Sequence, residues 1–251
     1  MNADEIFEYF NEYLDVGGIE DYCPNGLQVQ SGSKPINKIV TAVSASEELI
    51  LKAVELKADL IVTHHGLFWE KTPRTITGAM RRKIKLLLEN DIALAAYHLP
   101  LDFHHEIGNN VQLAHHLELS DQRIFSSKTR NIKGVTGKTA ISDIRGFCGF
   151  IEEKLKRKPL LFEFGKKEIQ TIAIITGGAQ GYFEDALMSG ADVFVTGEVS
   201  EHNYGFSQEN RMHFISAGHY ATERFGILAL GEKIQEKWRI PVQFVELDNP
   251  V

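Results

Sequence analysis

The sequence predicts an α/β protein of two homologous halves, each a sheet with flanking helices. Three observations predict it. A β-α-β order occurs twice, and the phrase Ala-Asp-apolar-apolar-Val-Thr recurs within it at 58–63 and 191–196. Each recurrence leads on to a short apolar run that ends in a histidine with a carboxylate four residues later, in Ala95-Ala-Tyr-His98-Leu-Pro-Leu-Asp102 and Ser216-Ala-Gly-His219-Tyr-Ala-Thr-Glu223. Parallel strands need crossovers of helical length, which a repeated β-α-β unit supplies.

Each element has its own warrant. Asn2, with Glu5 three residues on, reads as the cap of an N-terminal helix. Ile39–Val43 is strand-like, and Ser46 caps a helix whose Leu49, Ile50, Ala53 and Val54 fall at helical spacing. Lys57–Thr63 is the next strand, and Arg81–Asn90 is helical. In the second half Ile172–Ile175 is a strand, Tyr182–Ser189 a helix and Gly190–Thr196 a strand. Ile227, Leu230, Ile234 and Trp238 form a helix stripe before a last strand, Val242–Leu247. Residues near 125–165 join the halves, which divide as 1–124 and 125–251.

Bulk properties narrow the function. No apolar stretch approaches the ~20 residues that span a bilayer, and the N-terminus lacks the basic region of a signal peptide. The net charge of -7 argues against a nucleic-acid coat, which needs a basic face. Cys23 and Cys148 match no zinc-knuckle or CxxC spacing, which points to a reducing, cytoplasmic setting.

The chemistry concentrates at strand ends, where open α/β folds place their sites. The run Leu60–Val62 ends in Thr63-His64-His65-Gly66. Asp102 and the His219/Glu223 pair stand at other strand ends, the pair one helical turn apart. Glu223 heads the stripe Ile227, Leu230, Ile234, so its carboxylate needs a cation or a fixed donor to offset desolvation. Successive side chains of an extended segment diverge, so His64 and His65 suit two ions better than one. The five residues together read as a metal site in the cleft between the halves. Imidazole with carboxylate suits zinc, manganese, iron or cobalt. His98 and Glu198 read as neighbours of that site, either supporting a ligand or carrying protons. His104, His105, His115 and His116 read as surface or helix residues.

Two glycine-containing stretches point elsewhere. Gly134-Val-Thr-Gly137-Lys138-Thr139 lacks the earlier glycine and the leading strand of a phosphate-binding loop. Gly177-Gly178-Ala-Gln-Gly181 joins a strand to a helix and reads as a tight turn before it reads as an anion site.

Seven motifs in order resemble one family, the Nif-three-like proteins, whose members are widely named GTP cyclohydrolase 1 type 2 homologues. They are Pro24-Asn-Gly-Leu-Gln-Val29, Val62-Thr-His-His-Gly66, His98-Leu-Pro-Leu-Asp102, Gly108-Asn-Asn110, Thr176-Gly-Gly-Ala179, Val195-Thr-Gly-Glu198 and Gly218-His-Tyr-Ala-Thr-Glu223. The resemblance implies two α/β halves, a ring-shaped homohexamer and a dinuclear centre held by His64, His65, Asp102, His219 and Glu223. It implies the short form of the family, without an extra domain between the halves. The family name implies hydrolytic opening of the guanine ring of GTP by a metal-bound hydroxide, with formate lost and His98 or Glu198 carrying protons. Two other readings stay open: a metal-stabilised ring that binds a protein or nucleic-acid partner without catalysis, and a metallophosphoesterase.

Overall fold

The computed structural model describes residues 3–32, 35–127 and 131–251, so the expected Asn2 cap lies outside the described residues. In chain order the elements begin with α1 (Ala3–Tyr13), β1 (Gly26–Val29), β2 (Ile39–Ser44), α2 (Glu47–Glu55), β3 (Leu60–His65), α3 (Gly78–Glu89), β4 (Ala93–Ala96), α4 (Leu99–Asp102) and α5 (Asn109–His116). There follow β5 (Ser120–Ser126), β6 (Lys133–Lys138), α6 (Ile144–Leu155), β7 (Leu160–Phe162), β8 (Thr171–Ile174) and α7 (Phe183–Met188). The chain continues through β9 (Val193–Thr196), α8 (Glu201–Asn210), β10 (His213–Ser216), α9 (His219–Thr222), α10 (Arg224–Trp238) and β11 (Val242–Phe244). No described helix is long and apolar enough to cross a membrane.

The chain forms two compact units. One takes the described residues up to Leu101 together with Ile227–Asp248; the other takes Asp102–Gly226 with Asn249–Val251. The first contains a five-stranded sheet in the order β1-β4-β3-β2-β11, parallel except for β1. The second contains a six-stranded sheet in the order β5-β6-β8-β9-β10-β7, in which β8, β9 and β10 are parallel and the others run against their neighbours. The block β1-β4-β3-β2 of one sheet therefore recurs as β7-β10-β9-β8 of the other.

The repeated Ala-Asp phrase does the same work in both units. Asp59 Oδ2 accepts hydrogen bonds from the Asn37 and Lys38 backbone N–H groups at 2.8 and 3.0 Å. Asp192 Oδ2 accepts from Gln170 and Thr171 N–H, each at 2.8 Å. Each carboxylate pins the entry of the strand beside its own. After it the strands β3 and β9 are buried on both faces, as central parallel strands are. The apolar interior leaves polar side chains to the strand ends.

The division differs from a boundary at 124. β5 runs across that point and pairs with β6, Ile124 opposite Val135, while β11 leaves the C-terminal half to join the first sheet beside β2. Residues near 125–165 are likewise no mere connection: they carry β6, α6 and β7. Gly146 and Gly149 lower the helical propensity of α6 by about 1 kcal/mol each. Its buried stripe of Ile144, Phe147, Ile151 and Leu155 and the Asp143 cap on Gly146 N–H (2.6 Å) override that cost. The stretch 134–139 falls largely within β6, so it forms no phosphate loop.

Candidate metal centre

In the first unit, β3 delivers His64 and His65 at its C-terminal end, and β4 leads through Tyr97 to His98. One nitrogen from each of the three imidazoles lies within 4.8 Å of the others. The His64 and His65 rings do not diverge as an extended segment would have them: their centroids are 4.6 Å apart at a 40° tilt. The strand runs out at His65 and the chain turns at Gly66, where a Cβ would collide with the Gln28 amide. Gln28 Oε1 holds the turn by accepting from Leu67 N–H at 2.7 Å.

His64 is fully buried, and its Nδ1 stands 3.0 Å from the Tyr97 carbonyl oxygen. A carbonyl only accepts, so Nδ1 carries the hydrogen and donates it. His65 Nδ1 pairs with Ser44 Oγ at 3.0 Å. His98 Nδ1 donates to Asp21 at 2.9 Å, and its Nε2 is 3.4 Å from the Tyr22 hydroxyl. Asp21 also accepts from Leu99 N–H and Asn25 Nδ2, both at 2.9 Å. Burial works to raise the Asp21 pKa, but His98, Asn25 and Leu99 outweigh it and lower it to about 2.

In the second unit His219 opens α9 behind Gly218, whose φ of 101° falls in the region glycine favours. Glu223 follows one turn on and is 3 % exposed. His219 lies between two carboxylates: Nδ1 is 2.6 Å from Glu198 Oε1, and Nε2 is 3.0 Å from Glu223 Oε2. Burial works against the charged ring, but Glu223 and then Glu198 outweigh it and raise the His219 pKa to about 9.

The Thr176-Gly-Gly-Ala179 turn is the floor of this arrangement. A Cβ on Gly177 would occupy the position of the Glu223 carboxylate. Gly177 N–H donates to Thr222 Oγ1 at 3.0 Å, and its carbonyl accepts from Gly197 N–H at 2.9 Å. Gly177 serves the close approach of the Glu223 side chain. Asp102, which has an oxygen within 4.8 Å of one of Glu223, is held by the Gly108-Asn-Asn110 motif. Asn109 Nδ2 donates to Asp102 Oδ1 at 2.8 Å while its Oδ1 accepts from Gly226 N–H at 2.7 Å. Asn110 Nδ2 donates to the Asp102 carbonyl at 3.3 Å, and its Oδ1 accepts from Thr176 N–H at 2.8 Å.

The sequence assigns no role to Asn109 and Asn110, which hold Asp102, to Thr222, which anchors the Gly177 turn, or to Asp21, which holds His98. For the two asparagines a signal existed, since they form part of a family motif. Asp21 carried none. Among the other histidines, His104 is not a surface residue: it is buried, and its Nδ1 accepts from Glu106 and Ile107 N–H at 3.2 Å, closing a local turn. His105, His115 and His116 are exposed, as expected.

Among the described residues, groups of histidine and carboxylate are thus placed so that they could bind a metal. Comparison with known proteins agrees with this frame. Residues 1–250 match the model of Duf34/NIF3 (NGG1p interacting factor 3). A Pasteurella multocida (strain Pm70) protein named "GTP cyclohydrolase 1 type 2 homolog" is 45% identical over 253 residues, covering 100% of both chains. The solved structure of protein ybgI, described as of unknown function, is 40% identical with a TM-score of 0.94 and full coverage of both chains. That of TTHA1606 from Thermus thermophilus is 31% identical with a TM-score of 0.89, again covering both chains fully. The match spans nearly every residue, and the chain belongs to the Duf34/NIF3 family.

Proposed function

We propose that this chain is a metal-dependent hydrolase that holds two divalent ions through His64, His65, Asp102, His219 and Glu223 and opens the ring of a purine nucleotide such as GTP. The observation that carries the reading is the setting of His219. A metal-ligating imidazole is oriented by a carboxylate on its far nitrogen, and Glu198 stands there at 2.6 Å. The 3.0 Å between His219 Nε2 and Glu223 Oε2 also suits neighbouring ligands of one ion with bonds of about 2.1 Å. His64 supports it in the same way, with its Nδ1–H held by a backbone carbonyl.

Divalent ions bound there would supply acidified water and Lewis-acid polarisation. Glu198 fixes the His219 tautomer. His98, with its Nδ1–H fixed by Asp21, exchanges protons at Nε2, next to the Tyr22 hydroxyl. The ring-opening step rests on the name that the relatives bear, and an assembly of six copies belongs to the same reading.

Metal analysis by mass spectrometry, wild type beside Glu223→Ala, followed by formate release from GTP, tests it. Wild type is expected to hold about two ions per chain, and the variant to lose most of its metal. Failure to take up metal under several loading conditions would end the proposal. Full loading without formate release would leave a metal centre and remove the ring opening.

Loading also has a proton signature. His219 stays protonated up to about pH 9 without metal, so near neutral pH a metal must displace that proton. Calorimetry in buffers of different ionisation enthalpy should return about one proton released per chain from this group. A binding heat that does not depend on the buffer would remove His219 from the ligand set.

A further inference from the structure

The loops bearing Tyr22 and Trp69 add an element that the metal ligands do not need. Glu70 N–H fastens them to each other by donating to the Tyr22 carbonyl at 2.8 Å, and the second loop is closed on itself by Trp69 N–H donating to Thr72 Oγ1 at 2.8 Å. The Tyr22 and Trp69 rings have centroids 5.8 Å apart and lie 30° from parallel. Both stand nearly perpendicular to His98, at 5.0 Å and 73° for Tyr22 and at 5.1 Å and 82° for Trp69. Trp69 is also 5.6 Å from His65.

Aromatic side chains of this size ordinarily go to the core, where their area is most stabilising. Tyr97 does so, fully buried beside an equally buried Phe10. Tyr22 is instead 54% exposed and Trp69 half-buried, at the lip of a cluster of imidazoles. Water-facing rings beside a polar centre can stack a flat ligand, and such stacking is tolerant of which base is stacked.

We propose that Tyr22 and Trp69 are a stacking platform for a planar heteroaromatic ring, with a purine base as the ligand, beside His65 and His98. The proposal rests on the reading of the site as one that takes a nucleotide, and it names the part of the nucleotide that is gripped. The sugar and phosphates are not what this wall recognises.

The test is titration of the metal-loaded full-length protein with guanosine, adenosine and ribose 5-phosphate, by calorimetry and tryptophan fluorescence. The proteins are wild type, Trp69→Leu, Tyr22→Leu, and Tyr204→Leu, an exposed aromatic elsewhere in the chain, as control. Both nucleosides should bind and quench Trp69, and ribose 5-phosphate should not. Trp69→Leu should weaken nucleoside binding about tenfold to a hundredfold, the range of one lost stacking contact. Tyr22→Leu should weaken it too, with metal content unchanged, while Tyr204→Leu binds as wild type. Nucleosides that do not bind, or that bind both platform variants as wild type, overturn the proposal. So does binding confined to single-stranded oligonucleotides. Nucleoside binding without GTP ring opening sinks the hydrolase and leaves the platform. Ring opening with KM unchanged in Trp69→Leu does the reverse.

Discussion

Gly177→Ala is expected to cost about 2–3 kcal/mol of stability and most of the metal affinity, an effect out of proportion to one methyl group. Two costs add. Gly177 sits at a φ of 68°, where a side chain loses about 1–2 kcal/mol. Its new Cβ would also occupy the space of the Glu223 carboxylate. Glu223 cannot retreat cheaply, because it is buried and paired with His219. Gly178→Ala is the matched control. Its Cβ would meet Glu198 at an ordinary 3.5 Å, and its φ is not positive. Urea denaturation and metal analysis of the two variants side by side test the difference. Equal stability and equal metal content would show that the glycine turn does not support Glu223.

The contrast between those neighbours shows what the sequence can and cannot carry. Periodicity and the Ala-Asp repeat expose β2, α2, β3, β8 and β9, because each of those elements is decided by its own residues and their burial. The ends of β3, β4 and β10 expose His64, His65, His98 and His219, since polar groups at the rim of an apolar run stand out. Elements decided by distant packing stay hidden. Two glycines interrupt the stripe of α6, and β11 gives no sign that it pairs with β2, about two hundred residues upstream. The convergence of the His64 and His65 rings depends on where a strand ends, which a period of two does not tell. Asn109 and Asn110 illustrate the remaining gap. Their amides tie Asp102, Gly226 and Thr176 together, and amide side chains have no spacing rule that announces such work. The resemblance to the family marked them as a motif, but only the hydrogen bonds say why.

Asp21→Ala should be the other large effect, and its pH dependence identifies the cause. The side chain is 2% exposed and holds the His98 ring, the Asn25 amide and the Leu99 backbone together. Removing one member of a buried charged hydrogen-bond group leaves the rest without an acceptor, at about 3 kcal/mol. Part of that is a titration. The folded carboxyl is lowered from 3.8 to about 2, so its contribution is fully present above the unfolded value and is lost as pH falls through the folded one. The shift corresponds to about 2 kcal/mol near neutral pH. The stability gap between wild type and Asp21→Ala, from urea denaturation, should therefore narrow by about 1 kcal/mol between about pH 7 and pH 3. A gap that stays constant would mean that shape and not charge holds the loop. The functional consequence separates from stability. Without Asp21 the His98 ring loses the partner that fixes its tautomer, so a step that uses its Nε2 slows even where folding is complete. Metal content should be unchanged, since none of the proposed ligands is touched. A variant that folds, keeps its metal and loses turnover places Asp21 as the group that positions His98. One that keeps full turnover assigns the carboxylate to the fold alone.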